Sequence, residues 1–472
     1  MKKMTGSMCK AKFVPAVALI CGMAGSGAAM AQKQAPPEGA PAKAFTVPAH
    51  QTYTLPNGLT VTLVPYGNIP KVAVSLAVNA GNINEGVNHG GVAGITGELL
   101  KEGTTTLTPQ QLADATANMG STLDVSVTDD QTTAGLDVLS EFGPKAVQLL
   151  ADVVMHPGLP ESELPRLKND MLRQIAISAS RPRTIASMKF RKILYGDHPY
   201  SVVLPTDAEV KAITLDDVKT YFIPNFNPQR SHLYVAGKFD AAAVKKAIAD
   251  SFGKWPKGGA PWTPDVPTVK PQRVLDVTDR PGAPQSTLLV GMPVPPPTSP
   301  DTIPLVVTNA LLGGSFNSRI TANIREQKGY TYSPFSQISR RYHDSYWAES
   351  ADVTTQFTGP SLKEIFAEVD RLKGEPPAAP ELKGIQNYLS GVFIIQNSSR
   401  DALIGQLQYV DFQGLGEDYL KTYVAKVNAV TPADVQKMTG QYIKPDEMTI
   451  VVVGDKSKIT DQLAPYQAGK SF

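Results

Sequence analysis

The chain is poor in the residues that most often carry chemistry on their own. Of its 472 residues only two are cysteine, Cys9 and Cys21, and only six are histidine. Both cysteines lie in an N-terminal segment that reads as a cleaved signal. The chain that remains therefore has no disulfide, no thiolate metal site and no cysteine nucleophile. The histidines are His50, His89, His156, His198, His232 and His343, and no two are spaced to share one helical face. Excess charge of either sign is also missing, with 45 Lys+Arg against 43 Asp+Glu. That balance excludes a strongly basic nucleic-acid binder and an acidic disordered chain. Beyond the N-terminus there is no long apolar run, so a polytopic membrane protein is excluded. Phosphate-binding glycine loops, Ser-His-Asp orders and dinucleotide fingerprints are absent too. What is present is 42% hydrophobic residues, enough for substantial cores, and 39 Pro with 38 Gly, enough for many turns.

The first 31 residues have the layout of a secretory signal. Lys2, Lys3, Lys10 and Lys12 precede the apolar stretch Phe13 to Cys21, and small residues lead to Ala29-Met-Ala31. The apolar core is too short and Gly-rich for a membrane anchor. Ile20 before Cys21 argues against a lipoprotein signal, which wants a small residue there. Cleavage before Gln32 would remove four lysines and no acids, which turns the formal charge of +2 into about −2. Residues 32–47, rich in Pro and Ala, read as a flexible leader. The expectation is a secreted, periplasmic chain with no membrane attachment after cleavage.

The remainder divides into two halves, 48–254 and 273–472, separated by the Pro-rich stretch 255–272. In the first half Leu59 to Val64 reads as a strand. Lys71 to Val78 alternates, with Val72, Val74, Leu76 and Val78 on one face, as a strand with one buried side does. Thr122 to Val127 and Thr132 to Leu139 read as a pair. Helices are expected near 91–101, 109–119, 144–155, 162–179 and 184–194, with Thr108-Pro109 as cap and first residue of the second. The halves also repeat. Ile213–Gly237 aligns without a gap on Val430–Gly454 at a constant offset of 217 residues. In each copy Thr, with Asp three residues later, starts a helix, a proline punctuates, and an apolar strand ends at glycine. The expected fold is α+β, two duplicated halves, each a mostly antiparallel sheet with helices packed on one face.

Several stretches in this order carry a family resemblance. They are Leu55-Pro-Asn-Gly-Leu59, Val78-Asn-Ala-Gly-Asn-Ile-Asn-Glu85, Gly91-Val-Ala93, Leu100-Lys-Glu-Gly-Thr104, Met119-Gly120 and His198-Pro-Tyr200. Leu312-Gly-Gly-Ser-Phe-Asn-Ser-Arg319 and Arg325-Glu-Gln-Lys-Gly-Tyr-Thr-Tyr332 continue the series in the second half. Together they resemble the pitrilysin/insulinase-type (M16) zinc peptidases, which include the mitochondrial processing peptidase subunits.

The resemblance implies an H-x-x-E-H motif on the helix after Gly91-Val-Ala93. Two histidines at i and i+4 would bind zinc and the glutamate would activate its water. This chain has Gly94 and Glu98 at the histidine positions and Gly97 at the glutamate position. The family's third ligand, a glutamate, falls at Gln174. Glycines and a neutral amide cannot hold a divalent ion, so no zinc is expected in this chain. Glu98 alone is expected at a solvated helix position, and His89, five residues before Gly94, is not expected to be a ligand. The resemblance also implies an Arg and a Tyr seven positions apart that bind the scissile peptide, and here these are Arg325 and Tyr332. A guanidinium and a phenol can both donate to a carbonyl oxygen that becomes an oxyanion. The implied function is the metal-free subunit of a heterodimeric zinc peptidase whose partner carries H-x-x-E-H and the zinc, acting on a peptide or unfolded polypeptide. The alternative is an inactive pseudo-peptidase acting as scaffold or peptide-binding module. Gly313-Gly314 reads either as a substrate loop or as a helix C-cap. Arg340, Arg341, His343 and Asp344 read as a solvated hairpin tip, and His198-Pro-Tyr200 as structural.

Overall fold

The computed structural model describes residues 46–258 and 261–467. The expected signal and all but the end of the leader lie outside the described residues. Among those described, no helix is long and apolar enough to cross a membrane.

Two mixed sheets form the frame. The first holds β1 (Gln51–Thr54), β2 (Thr60–Pro65), β3 (Lys71–Val78), β4 (Asp124–Val127), β5 (Thr132–Leu139) and β6 (Ser231–Gly237). Its strand order is β1-β2-β6-β3-β5-β4. The second holds β7 (Val274–Asp279), β8 (Gln285–Val294), β9 (Phe335–Arg341), β10 (Asp344–Thr354) and β11 (Thr449–Gly454), in the order β7-β11-β8-β10-β9. In each sheet one neighbouring pair is parallel, β2 with β6 and β7 with β11, and the others are antiparallel. Removing β1 makes the two orders correspond strand for strand, so the duplication read in the sequence extends to the topology.

Seven helices bear on the site: α1 (Val92–Leu99), α2 (Leu164–Ala179), α3 (Pro182–Tyr195), α4 (Leu215–Asn225), α5 (Thr302–Leu312), α6 (Arg400–Gln413) and α7 (Pro432–Tyr442). The repeated Thr/Asp pairs start α4 and α7 as capping boxes: Thr214 accepts from the Asp217 amide, and Thr431 from the Asp434 amide, each at 3.2 Å.

The sheet faces depart from expectation in one respect. Val72, Val74, Leu76 and Val78 of β3 do pack together, under helices of their own half. The opposite face, however, is buried as well. Ala73 and Ala77 are only 2% and 3% exposed, packed in one cluster with Tyr234, Ala236 and the α6 residues Ile404 and Leu407. The small side chains at 73, 77 and 236 let a helix of the second half lie close against the first sheet. The exchange is mutual. Helix α3 of the first half lays Ala186, Phe190 and Leu194 on Tyr346, Ala348, Val451 and Val453 of the second sheet. Each sheet thus has its own helices on one face and a helix from the other half on the second.

Ion pairs repeat the exchange. Arg183 on α3 donates to Asp352 of β10 at 2.8 Å, and Arg400 on α6 bonds both oxygens of Asp137 of β5 at 3.2 Å. The two arginines are 217 residues apart, the offset of the sequence repeat. A third arginine corrects the solvated-tip reading of residues 340–344. Arg340 is exposed, but Arg341 is buried, with its guanidinium 5.2–5.4 Å from the rings of Tyr195, Tyr200 and Tyr346. Its Nε lies 3.1 Å from Asp129 of the first half, and Asp344 accepts from the Tyr195 hydroxyl. The tip is drawn inward because it closes the seam between halves. Tyr200 joins the same seam, donating to Asp130, so His198-Pro-Tyr200 is structural.

Phe190 is fully buried and meets the Tyr346 ring edge-on at 5.2 Å, at the centre of this contact. Phe190→Ala is expected to lower unfolding stability by about 3–5 kcal/mol in urea denaturation. A loss below about 1 kcal/mol would mean that the exchanged helix adds little to folding.

Candidate functional site

Helix α1 begins at Gly91, whose φ of 93° suits glycine and turns the chain into the helix. Its first amides find an acceptor far back in the loop: Glu85 Oε1 accepts from the Gly91 and Ala93 amides, each at 3.0 Å. Glu85 therefore does the work of a capping side chain. Burial pushes its carboxyl up to about 7, against the pull of the two amides and with the charges of Glu209 and Asp129 adding to the rise.

The motif positions on this helix are closed by packing. A Cβ on Gly94 would meet the Met171 methyl of α2 at 2.9 Å, and one on Gly97 would meet Val127 Cγ2 of β4 at 2.8 Å. Glu98 is half-exposed and pairs with Lys101 at 2.6 Å, as a solvated helix residue does. Gln174 is exposed on α2. His89 turns to Asp217 of α4, 3.5 Å away. Among the described residues no group of three or more His, Cys, Asp or Glu is arranged to hold a metal. The zinc of the H-x-x-E-H motif does not fit this donor set: two ligand positions lack an ionisable side chain, and Met171, Val125 and Val127 line the helix where the metal would need polar groups.

In the second half the expected pair comes together. Arg325 lies on a π-helical turn, Thr321–Gln327, a wide turn that is frequent at functional sites. The turn is anchored from below. Arg319 forks onto Glu381 at 2.7 and 2.8 Å, and Asn323 donates to Glu364 and Glu368 at 2.9 and 2.7 Å. Gly329, with φ of 67°, reverses the chain so that Tyr332 returns towards Arg325. The Arg325 guanidinium stands 5.4 Å from the Tyr332 ring centroid and 4.2 Å from that of Phe316. Both rings are exposed, Tyr332 at 82% and Phe316 at 67%. Glu326 flanks the cluster, with Oε1 3.2 Å from Arg325 Nε. Each cation–π contact at such a site is worth about 0.5–1 kcal/mol and holds the guanidinium between two rings.

Phe316 is the member that sequence reasoning missed. It sat inside a quoted motif, but nothing local says that the ring faces solvent rather than the core. Its position follows from Gly313 and Gly314, where the C-cap reading holds: both amides donate to the Asn309 carbonyl, at 3.0 and 2.7 Å. Neither tolerates a side chain, since a Cβ would lie 2.5 Å from Glu349 Oε2 and 2.3 Å from Asn309 Nδ2, respectively.

Comparison with known proteins agrees with this division. Residues 61–205 match the family model of insulinase (peptidase family M16), and residues 212–389 match that of the peptidase M16 inactive domain. The chain is 23% identical to the mitochondrial-processing peptidase subunit beta of Saccharomyces cerevisiae over 85% of this chain and 87% of that one. It is 22% identical to the non-peptidase homolog YmxG of Helicobacter pylori over 83% and 90%. The crystal structure of a peptidase M16 inactive domain from Pseudomonas fluorescens superposes with a TM-score of 0.80 at 25% identity, covering 86% of this chain and 98% of that one.

Two outcomes test the closed helix. Gly97→Glu would force a carboxylate into Val125 and Val127 without a partner and should cost about 3 kcal/mol or more in urea unfolding. A neutral result would mean that the space is open. Glu85 sets a pH dependence. Its folded value of about 7 lies above the ordinary 4.5, so its contribution to stability falls as pH rises between the two. Glu85→Gln keeps an oxygen acceptor but does not titrate. The melting temperature of the variant relative to the parent should therefore climb from about pH 5 to about pH 8. A constant difference would refute the assignment.

Proposed function

The chain belongs to the M16 peptidase family, and from that premise we propose that it is the metal-free subunit of a heterodimeric peptidase. Its partner would be an M16 subunit bearing H-x-x-E-H, and the N-terminal segment suggests that the two meet in the periplasm. One observation carries this reading: the metal helix is packed shut by Met171 and Val127, while Arg325 and Tyr332 remain exposed and adjacent. A protein that only needed to fold would gain little by keeping a guanidinium and a phenol in open solvent on an anchored turn. The description of a related chain as one subunit of a processing peptidase supports a two-chain arrangement.

In this role Arg325 would hold the backbone carbonyl of a peptide bond with a fixed, always-charged donor. Tyr332 would add a second hydrogen bond through its hydroxyl. Both would strengthen as negative charge builds on that oxygen, which is where such donors accelerate acyl chemistry. The rings of Phe316 and Tyr332 limit the rotamers of Arg325, so little order has to be gained on binding. Activation of water is assigned to the partner and none of it to this chain.

The second reading, a peptide-binding or scaffolding pseudo-peptidase, is favoured by the likeness to a chain described as a non-peptidase homolog. The two part on one experiment. The parent chain, mixed with its H-x-x-E-H partner, should cleave an unfolded polypeptide, whereas the isolated chain should not. Arg325→Ala should lower kcat/KM of the mixture by about 10²–10³, as the loss of one oxyanion donor does. Unchanged activity in that variant would end the subunit reading, and no cleavage in any mixture would favour the scaffold.

A further inference from the structure

Beside the Arg325–Tyr332 turn lies a groove of about 620 Å³ between the start of α3 and the turn that joins β7 to β8. Arg181, Arg183 and Arg280 line it, with Pro182, Pro281 and Pro284 as stiff walls and Asp352 as the one acid. Asp352 is already committed: it accepts from Arg183 Nε at 2.8 Å and from the Thr287 hydroxyl at 2.5 Å. Arg181 and Arg280, both exposed, have no ion-pair partner among the described residues, so the groove carries two unneutralised guanidinium groups. The start of α3 adds to the same field. Arg181 occupies its cap position and no side chain caps the helix, which leaves first-turn amides facing outward.

The duplicated half makes this arrangement specific. The corresponding groove at the start of α6 is lined instead by Asp124, Asp137 and Asp401, and there Ser399 caps the helix, accepting from the Ala402 amide at 3.2 Å. One scaffold, used twice, is thus acidic and capped at one end but basic and uncapped at the other. The basic groove also touches the candidate site. Asp352 accepts through its carbonyl from the Thr331 hydroxyl at 2.7 Å, and Thr331 is bonded in sequence to Tyr332.

We propose that this groove binds a carboxylate of the polypeptide held by Arg325 and Tyr332, either an acidic side chain or the C-terminal carboxylate, so that the chain selects anionic peptide segments. The inference rests on the peptide-binding reading of that pair. Guanidinium forks match carboxylate geometry, and the proline walls hold them at little entropic cost.

Fluorescence anisotropy with the full chain tests it, using four labelled peptides of one apolar sequence. These carry Glu or Gln at two positions, each with a free or an amidated C-terminus. The Glu or free-carboxylate forms should bind about tenfold tighter at low salt, and the ratio should shrink as salt screens the exposed arginines. Dependence on Glu identifies side-chain recognition, and dependence on amidation identifies the terminus. The double variant Arg181→Gln, Arg280→Gln should abolish the ratio. Arg325→Ala should weaken all four peptides alike and preserve it. Equal binding of the four, a ratio that survives in the double variant, or competition by inorganic phosphate without any carboxylate preference would each overturn the proposal. A parent chain that binds none of the peptides would overturn the peptide-binding reading itself, and this one with it.

Discussion

Each sheet in this protein has two apolar faces, while each half supplies helices for only one of them. That shortage is the constraint from which the rest follows. Neither half can bury Ala73 and Ala77, or Tyr346 and Val451, with its own chain, so α3 and α6 are exchanged. Burying side chains of this kind is worth roughly 1.5–3 kcal/mol each for the larger ones, which makes the seam between halves part of the core rather than a docking surface. The buried Arg341 belongs to the same logic. A guanidinium taken out of water must be paired, and Asp129 from the other half supplies the charge while three tyrosine rings supply the cage.

Within that frame the two copies have taken opposite courses at equivalent positions. In the first, α1 has lost every side chain that would bind a metal, and neighbouring hydrophobic groups have moved into the space. Glycine at 94 and 97 is there because Met171 and Val127 leave no room for more. In the second, the chain spends conformational irregularity to keep a cation in the open. A π-helical turn, a left-handed Gly329 and two glycines without room for a Cβ all serve to bring Arg325, Tyr332 and Phe316 together. The grooves at the exchanged helices diverge in the same manner, one acidic and one basic.

Much of this was legible in the residues. Thr214 with Asp217, and Thr431 with Asp434, start helices in the structure as their spacing demands, and the alternation of Lys71 to Val78 is a strand whose valines share a face. The spacing of Arg325 and Tyr332 was readable only through resemblance, since neither periodicity nor composition singles them out. Phe316, Glu85 and Arg341 escaped for one shared reason. Their environments are made by residues far away in the chain: Phe316 by a turn held from α5, Glu85 by amides beyond a loop, Arg341 by Asp129 and Tyr195 more than a hundred residues earlier.

The sequence by itself determined the local elements, the duplication and the loss of metal-binding side chains. Caps, turns, alternation and ligand identity are properties of residues a few positions apart, or of single residues. Only the tertiary structure decided which half covers which sheet, that Arg341 is buried rather than solvated, and that Arg325 stands between two exposed rings. Those outcomes depend on contacts between segments separated by up to hundreds of residues, whose geometry is set when the two copies close on one another and not before.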